Sequence, residues 1–363
     1  MNLPIYVVSI AKNESKHVKR WAESARGADG VFMLDTGSTD DTVAIAKECG
    51  VTVFEQVISP WRFDHARNHL LDLLPDEDAW LINLDLDEVL VSDWVNTLKS
   101  VPVEFNRVRY NYIWNWNEDG SPGKSYWGDK IVRRHTHRWK HPVHEVNVAV
   151  GGYWESQFYS QGFEIHHHAD DTKSRGQYLN LLLLSVDEDP EDDRNTYYCA
   201  RELFFNGVTE PAITLFKRHL TMERSVWAPE RAFSMRYLAK LVPDERESWL
   251  LRAVAEYDAR ETWLDLASYY YDKYAWDGCR WAALRCLRHE EKPALYLNEP
   301  EAWGYRPADL AAISSFYLGL YEDSVKYGQM ALDLSPDDQR LQSNMFFYEN
   351  KGSFNIRTKA VLN

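Results

Sequence analysis

The first 90 residues alternate between short apolar runs and longer segments in which apolar residues recur every three or four positions. The short runs predict buried strands, and the longer period predicts helices. The predicted strands are the runs "IYVVSIA", "GVFMLD", "VTVFEQ" and "AWLINLDLD", and the predicted helices are residues 14–27, 39–50 and 63–74. Strands that take turns with helices indicate βαβ units and a mixed, mostly parallel sheet of the α/β class.

The pattern changes twice after residue 100. Residues 100–168 contain short aromatic runs such as "RVRYNYIWNW", which predict an antiparallel extension of the sheet. From residue 172 onward the period is helical, and residues 195–220, 261–287 and 307–336 share a plan of two helices joined by a turn. We therefore predict an α/β domain over residues 1–185 and an all-α helical-hairpin repeat domain over residues 186–363; an irregular helical bundle is the alternative for the second.

Composition and charge narrow the class of protein. A chain of 363 residues is long enough for two or three domains. The net charge of −15 disfavours a purely electrostatic grip on nucleic acid or on an anionic membrane. The four cysteines are scattered, which fits free thiols in a reducing compartment. No long apolar run and no signal-peptide pattern at the start are present, so the expected location is the cytosol of a bacterium or of a phage-infected host.

Three carboxylates follow the fourth predicted strand within four positions: Asp85, Asp87 and Glu88. In parallel sheets, ligands bind beyond the carboxyl ends of the strands. Two acids on alternate residues at such an end can reach a divalent cation and the phosphates that it bridges. An Asp-x-Asp pattern alone is weak, because it occurs by chance in many chains of this length.

Two further stretches place polar side chains at related positions. Asp35 ends the second predicted strand, where an acid can bond a base or a ribose. Arg67 and Asn68 lie on the first turns of the third predicted helix, where a guanidinium and an amide can pair with phosphate or sugar oxygens. Taken singly, each stretch is also explained by helix capping or by solvated helix surface.

The stretches "IAKNE", "LDTGSTDDT", "FDHARN" and "LDLDE", in this order, resemble the family 2 glycosyltransferases with a GT-A fold. In particular they resemble the subgroup in which tetratricopeptide-like (TPR-like) helices follow the nucleotide-sugar domain. The resemblance implies that Asp35 binds the base or ribose, that Arg67 and Asn68 contact the nucleotide-sugar, that Asp85 contacts the ribose or metal, that Glu88 orients the donor sugar, and that Asp87 is the main metal ligand. A UDP-sugar is the expected donor.

The histidine-rich stretches "HPVHEVNV" and "IHHHADD" also resemble the family. One of His166 to His168, or His144, is expected to complete a site for Mn²⁺ (or Mg²⁺), and His168 is the favoured ligand. A zinc site is the competing interpretation, although no cysteine joins the histidines.

The resemblance implies transfer of a sugar with inversion at the anomeric carbon. Such a reaction needs a carboxylate base beside the acceptor hydroxyl or thiol. Glu145 is the first candidate for this base and Asp170 the second.

Residues 124–140, here called the basic segment, carry six cations against one acid. We expect the basic segment, and Arg133 in particular, to bind the donor diphosphate. A groove for a nucleic-acid acceptor is the alternative. Stacked helical hairpins bind peptides or other subunits, so a homo-oligomer is also expected. The acceptor classes left open are a polypeptide, a glycan and a hydroxymethylated base in phage DNA.

Two other functions compete with sugar transfer. The chain could be a catalytically inactive scaffold, but four charged residues predicted at strand and helix ends argue against that. Nucleotidyl transfer would need a glycine-rich basic loop after the first strand, and "IAKNESKH" contains no glycine.

Overall fold

The computed structural model describes residues 3–91, 93–117, 119–168 and 178–350. The chain forms two compact units. The first comprises Met1–Pro190 with Ala294–Tyr296, and the second comprises Glu191–Pro293 with Leu297–Asn363. The predicted domain boundary after residue 185 falls inside the last helix of the first unit, Tyr178–Glu188.

The first unit contains ten strands and five helices among its described residues. The strands are β1 (Ile5–Ala11), β2 (Gly30–Asp35), β3 (Thr52–Glu55), β4 (Trp80–Asn83), β5 (Glu88–Val91), β6 (Arg107–Ile113), β7 (Ser125–Arg133), β8 (His137–Lys140), β9 (Val146–Ala149) and β10 (Gln157–His167). The helices are α1 (Ser15–Ser24), α2 (Thr42–Glu48), α3 (Phe63–Leu73), α4 (Trp94–Lys99) and α5 (Tyr178–Glu188).

Eight strands form one sheet in the order β3-β2-β1-β4-β7-β6-β10-β5, and β8 and β9 form a separate antiparallel ribbon. Strands β1 to β4 are mutually parallel, and β10 runs parallel to β6. Strand β7 runs antiparallel to β4 and β6, and β5 runs antiparallel to β10. The prediction of a mixed, mostly parallel sheet with an antiparallel extension is therefore confirmed.

Both faces of the parallel half are buried. Ile5 and Val7 of β1 pack in one apolar cluster with Trp21 of α1. The alternate residues Tyr6 and Val8 pack in a second cluster on the other face, which includes residues of α3. Burial on both faces explains why these strands read as continuous apolar runs instead of alternating ones.

Strand β4 is shorter than the sequence predicts. It ends at Asn83, a turn occupies Leu86 and Asp87, and β5 begins at Glu88. The backbone stays attached beyond the strand, because Leu84 N donates to Val8 O at 3.1 Å and the Trp21 indole donates to Leu84 O at 3.0 Å. Residues 85–88, here called the acidic turn, are therefore held at the carboxyl end of β4.

The second unit consists of helices. They are α6 (Asp193–Phe205), α7 (Thr209–Thr221), α8 (Ala228–Leu241), α9 (Arg246–Glu256), α10 (Arg260–Asp272), α11 (Trp276–Leu287), α12 (Pro300–Trp303), α13 (Arg306–Tyr317), α14 (Tyr321–Leu334) and α15 (Gln339–Glu349). The pairs α6–α7, α10–α11 and α13–α14 pack as hairpins, which confirms the three predicted repeats. A further pair, α8–α9, was not predicted.

A glycine in α14 allows α15 to pack closely against it. A Cβ atom placed on Gly328 would lie 2.6 Å from the Met345 sulfur and 2.8 Å from the Tyr348 ring, so a larger residue would force these α15 side chains to move. Across the described residues, no helix combines the length and the apolar character needed to cross a membrane.

Candidate active site at the carboxyl edge of the sheet

The loops that follow β1 and β2 are fastened to each other. Asn13 has a positive φ of 57°, and its side-chain oxygen accepts from Thr39 N at 2.7 Å. The Asp40 carboxylate accepts from Ser15 N at 3.2 Å and from Thr42 N at 3.1 Å. The residues of "IAKNE" and "LDTGSTDDT" therefore build one rigid wall beside the carboxyl ends of the parallel strands.

Asp35 shapes that wall. Its Oδ2 atom accepts hydrogen bonds from Gly37 N at 3.1 Å and from Ser38 N at 3.0 Å, and the residue is only 4% exposed. Gly37 has a φ of 107°, a backbone conformation that is strained for any residue with a side chain. Asp35 thus holds the turn after β2, and its predicted contact with a base or ribose stays a prediction.

Arg67 lies at the centre of the candidate site. Its Nε atom donates to Glu145 at 2.6 Å, and its Nη2 atom donates to Asp85 at 2.8 Å. The guanidinium also lies over the Trp139 ring, 4.6 Å from the centroid. One buried cation therefore joins helix α3, the acidic turn and the loop between β8 and β9.

Lys130 of β7 forms the second cationic contact to the acidic turn. Its Nζ atom lies 2.7 Å from both Asp85 Oδ2 and Glu88 Oε1. Glu88 is almost fully buried, and its other oxygen accepts from Asp85 N at 2.9 Å. The Tyr112 hydroxyl donates to Glu88 at 2.7 Å. Glu88 therefore fixes the positions of both Asp85 and Lys130 through hydrogen bonds.

These contacts set the charges in the cluster. Burial alone would raise the pKa of Asp85, but the charges of Arg67 and Lys130 outweigh it and hold that pKa well below its usual range. Burial opposes the charged forms of Arg67 and Lys130, yet the neighbouring carboxylates raise the pKa of both. For Glu88, burial raises the pKa above its usual value. Asp85 is therefore a fixed, ionised hydrogen-bond acceptor, with its side chain 34% exposed.

Asp87 faces a histidine. The Nε2 atom of His167 lies 3.6 Å from Asp87 Oδ2. The Nδ1 atom of the same ring lies 2.9 Å from the Trp114 carbonyl, and the ring stacks on Trp114 with centroids 4.4 Å apart. Since a carbonyl only accepts, Nδ1 carries a proton. Burial opposes a second proton on the ring, but the Asp87 carboxylate that faces Nε2 outweighs it and raises the pKa of His167.

The neighbouring His168 contacts the acidic turn through its backbone, because its N–H donates to Asp87 O at 2.7 Å. Burial lowers the pKa of His168, and the nearby Arg20 lowers it further. Its predicted metal role stays a prediction, and the histidine ring nitrogen found 3.6 Å from Asp87 is that of His167. Asp170, the second candidate base, lies outside the described residues.

Glu145 and Asn68 both have defined partners. Glu145 has a side chain 12% exposed and shares the Arg67 guanidinium with Asp85. The Asn68 amide donates to Trp139 O at 2.8 Å and accepts from Trp139 N at 2.9 Å, which attaches α3 to β8. Asn68 thus positions the helix that carries Arg67, while a contact with the nucleotide-sugar stays a prediction.

The structure corrects the prediction for Arg133. Arg133 pairs with Trp80 at the start of β4, whereas Asp85 follows the end of that strand. Its guanidinium binds Asp78 and donates to Val103 O at 2.9 Å. Five residues of extended chain span about 17 Å, so Arg133 lies at the opposite edge of the sheet and cannot hold a donor diphosphate near Asp85.

Lys130 is the member of the basic segment that reaches the candidate site. Its position in the sequence does not distinguish it from the other five cations, because only the antiparallel pairing of β7 with β4 brings it beside Asp85. The available signal is its place directly before the apolar pair Ile131 and Val132, which marks it as part of a buried strand.

One cluster of three metal-ligating residue types lies in the second unit. The ligand atoms of Asp193, His219 and Glu230 lie within 4.8 Å of one another. However, the two His219 ring nitrogens lie 2.9 Å from Ser234 Oγ and 3.0 Å from Ser225 Oγ. This group is therefore a buried polar network between helices.

Comparison with known proteins finds relatives for part of the chain. A search against profiles of known protein families found no match. An uncharacterized glycosyltransferase of Rickettsia conorii is 36% identical over 102 residues, which are 28% of this chain and 35% of that protein. A second, from Rickettsia felis, is 32% identical over 102 residues, with the same coverage of both chains. Part of this chain is related to glycosyltransferases. The predicted resemblance to glycosyltransferases is thereby confirmed for this part of the chain, and the match spans only about a third of the length of these relatives.

Solved structures show weaker similarity. S. aureus TarS is 12% identical with a TM-score of 0.42, covering 68% of this chain and 54% of that chain. Glucosyl-3-phosphoglycerate synthase from Mycobacterium tuberculosis, solved with Mn²⁺, UDP and glucosyl-3-phosphoglycerate, is 24% identical with a TM-score of 0.25. The match covers 30% of this chain and 44% of that chain. The Thermus thermophilus TPR protein TTC0263 is 17% identical with a TM-score of 0.31, covering 48% and 91%.

Proposed function

We propose that this chain is a glycosyltransferase that moves a sugar from a nucleotide-diphosphate sugar to an acceptor hydroxyl or thiol. The observation that carries the proposal is the charged cluster at the carboxyl edge, where Arg67 and Lys130 fix Asp85. Asp87 and His167 lie directly beside it. The relation of part of the chain to glycosyltransferases supports the same function. A UDP-sugar is the first donor to test.

The donor nucleoside lies, in this proposal, against the wall formed by the first two loops. Asp85 is ionised and therefore accepts hydrogen bonds from ribose hydroxyls without donating any. Asp35 lies at the end of β2, and only β1 separates β2 from β4 in the sheet. This position suits contact with the base or ribose. These two acids would select a nucleoside by hydrogen bonding, while the buried cations keep the Asp85 carboxylate in place.

Asp87 and His167 would hold Mn²⁺ or Mg²⁺. One carboxylate oxygen and one imidazole nitrogen suit Mn²⁺, and the Trp114 carbonyl already fixes the ring tautomer that such a ligand needs. When bound, the ion would neutralise charge on the nucleoside-diphosphate leaving group. The two side chains present two of the ligands, and the diphosphate oxygens and water would supply others.

Transfer with inversion requires a base on the acceptor side. In this proposal Glu145 takes the proton from the acceptor O–H or S–H. The acceptor atom then forms a bond to the anomeric carbon, and the bond from that carbon to the diphosphate oxygen breaks, releasing a nucleoside diphosphate. Arg67 orients Glu145 through the bond at 2.6 Å, so the base and the ribose-binding acid share one anchor.

A transfer assay tests this proposal. The full chain is incubated with Mn²⁺, each candidate donor, and peptide, glycan or hydroxymethylated-DNA acceptors, and released nucleoside diphosphate is measured. We expect release with one donor, and we expect Glu145→Gln to reduce transfer by at least a hundredfold while donor affinity is unchanged. Persisting transfer in Glu145→Gln would remove its role as base and pass that role to Asp170.

A further inference from the structure

A pocket opens at the amino end of the parallel strands, on the edge of the sheet opposite Asp85. Its volume is about 410 Å³. Its lining comes from the residue two positions before β4, the segment just before β6, the end of β7, the turn between β7 and β8, and the loop between β9 and β10. The residues include Asp78, Glu104, Asn106, Arg133, His135, Tyr153 and Trp154. The pocket therefore contains the arginine that the sequence assigned to the donor site.

Two aromatic side chains form the rim of this pocket. Trp154 is 93% exposed and Tyr153 is 53% exposed. Aromatic side chains contribute most when they are buried against a partner. Two neighbouring rings that are this exposed therefore indicate a surface that binds a ligand. The rim thus offers two flat apolar faces to a ligand.

The loop that carries the rim is fixed before any ligand arrives. Asn106 donates to Trp154 O at 2.8 Å and accepts from Ser156 N at 2.9 Å. The Ser156 hydroxyl donates to Glu104 O at 2.7 Å, and Tyr153 N donates to Val150 O at 3.3 Å. A backbone anchored at both sides of Trp154 reduces the ordering cost of binding.

The floor of the pocket is polar and its described residues carry no excess of positive charge, because Asp78 compensates Arg133 and Glu104 adds a further carboxylate. Arg133 pairs with Asp78 through two of its nitrogens, and its third nitrogen donates to Val103 O at 2.9 Å. The Asp78 and His135 side chains are 39% and 42% exposed. The ion pair and the Glu104 carboxylate offer hydrogen-bond donors and acceptors but leave no cation of this described lining unpaired for an anion to bind. The floor therefore suits hydroxyl groups better than phosphate or carboxylate groups.

Sugar rings match this combination. A pyranose has an apolar C–H face, which packs on aromatic rings, and hydroxyls at its edge, which bond to paired charged groups. We propose that this pocket binds sugar units of a neutral glycan. If the proposed transferase function holds, the glycan is the acceptor class, and a long chain is bound about 17 Å from the transfer site, since the chain advances five residues from Trp80 to Asp85 between the two edges.

A binding experiment without nucleotide tests the pocket alone. The full chain is titrated by calorimetry with neutral hexasaccharides: maltohexaose, cellohexaose, chitohexaose, xylohexaose and mannohexaose. We expect at least one to bind, and we expect Trp154→Ala to weaken that binding tenfold or more. Trp281→Ala, which removes an indole 46% exposed on α11, is the matched control and should leave binding unchanged.

Other results would overturn the inference. It fails if none of the five glycans binds the native chain, or if Trp154→Ala binds as tightly as native. It also fails if Trp154→Ala only converts a self-associated protein to a monomer. Mn²⁺-dependent UDP binding, measured separately on Trp154→Ala, should equal that of the native protein. A failure of the donor site and a failure of this pocket therefore give different results.

Discussion

Arg67→Met removes the cation that joins three parts of the candidate active site. Arg67 is buried, donates to Glu145 at 2.6 Å and to Asp85 at 2.8 Å, and lies 4.6 Å from the centre of the Trp139 ring. Methionine keeps an unbranched apolar stem of similar length, so packing changes little. The substitution therefore isolates the loss of charge and hydrogen bonds.

The expected cost follows from what the substitution leaves behind. Asp85 keeps Lys130 at 2.7 Å, but Glu145 loses the charged partner of a largely buried carboxylate. Removing one partner of a buried ion pair costs about 3–5 kcal/mol of unfolding free energy. Loss of the contact with the Trp139 ring adds roughly 1 kcal/mol. Together these terms predict that the first unit loses about 4–6 kcal/mol of unfolding free energy.

Arg138→Met is the matched control. Arg138 pairs with Asp72 at 3.2 Å, but the two side chains are 41% and 62% exposed. An exposed pair of this kind contributes roughly 0–1 kcal/mol. Both substitutions remove an arginine from the same unit, so their difference measures burial of the ion pair.

The assay must report on the first unit, because two compact units can unfold separately. Hydrogen exchange at increasing urea, followed by mass spectrometry on peptides that cover β1 and β4, gives the unfolding free energy of that unit. In the double variant Arg67→Met with Glu145→Gln, the buried charge is gone as well, and we expect partial recovery of stability. A loss for Arg67→Met no larger than that for Arg138→Met would refute the reasoning.

Two further predictions concern the metal ligands and the wall. Asp87→Asn and His167→Ala should each abolish Mn²⁺-dependent nucleotide binding in calorimetry with cooperative unfolding retained, whereas His168→Ala should reduce it less; the reverse order of the two histidines would contradict the geometry. For Asp40 in the wall, burial would raise the pKa, but hydrogen bonds from Thr42 and Ser15 lower it to about 2. A depressed pKa stabilises the fold above about pH 4 and loses that effect as the pH falls to about 2. The melting temperature of the native chain should therefore fall more between these values than that of Asp40→Asn, and equal falls would contradict the link between the loops.

The elements that the sequence predicts well are those with a local signal. Strands β1 and β2 and the three helical hairpins follow from periodicity within each segment. The carboxyl edge follows from the alternation of strands and helices, which requires parallel pairing. The end of β4 at Asn83 was missed because the apolar pattern continues through Leu84 and Leu86, whose side chains are buried in the turn.

The contacts within the site depend on pairing between distant strands. Lys130 reaches Asp85, and Arg133 does not, because the register of β7 against β4 places them at different heights. The histidine that faces Asp87 is likewise set by register, since β10 pairs His167 with Glu88. Neighbouring residues of a strand point to opposite faces, so three consecutive histidines cannot be separated without that register.

The most direct test of the central claim is a thermal-shift screen of the purified chain against UDP, GDP, CDP and their sugars, with and without Mn²⁺. A ligand at a hundred times its Kd stabilises the native state by about 2.7 kcal/mol, which corresponds to several degrees in melting temperature. The account predicts a shift with one nucleotide class that requires Mn²⁺ and is absent in Asp87→Asn. The absence of any shift with every nucleotide, in the presence of Mn²⁺, would contradict a nucleotide-sugar site at the carboxyl edge.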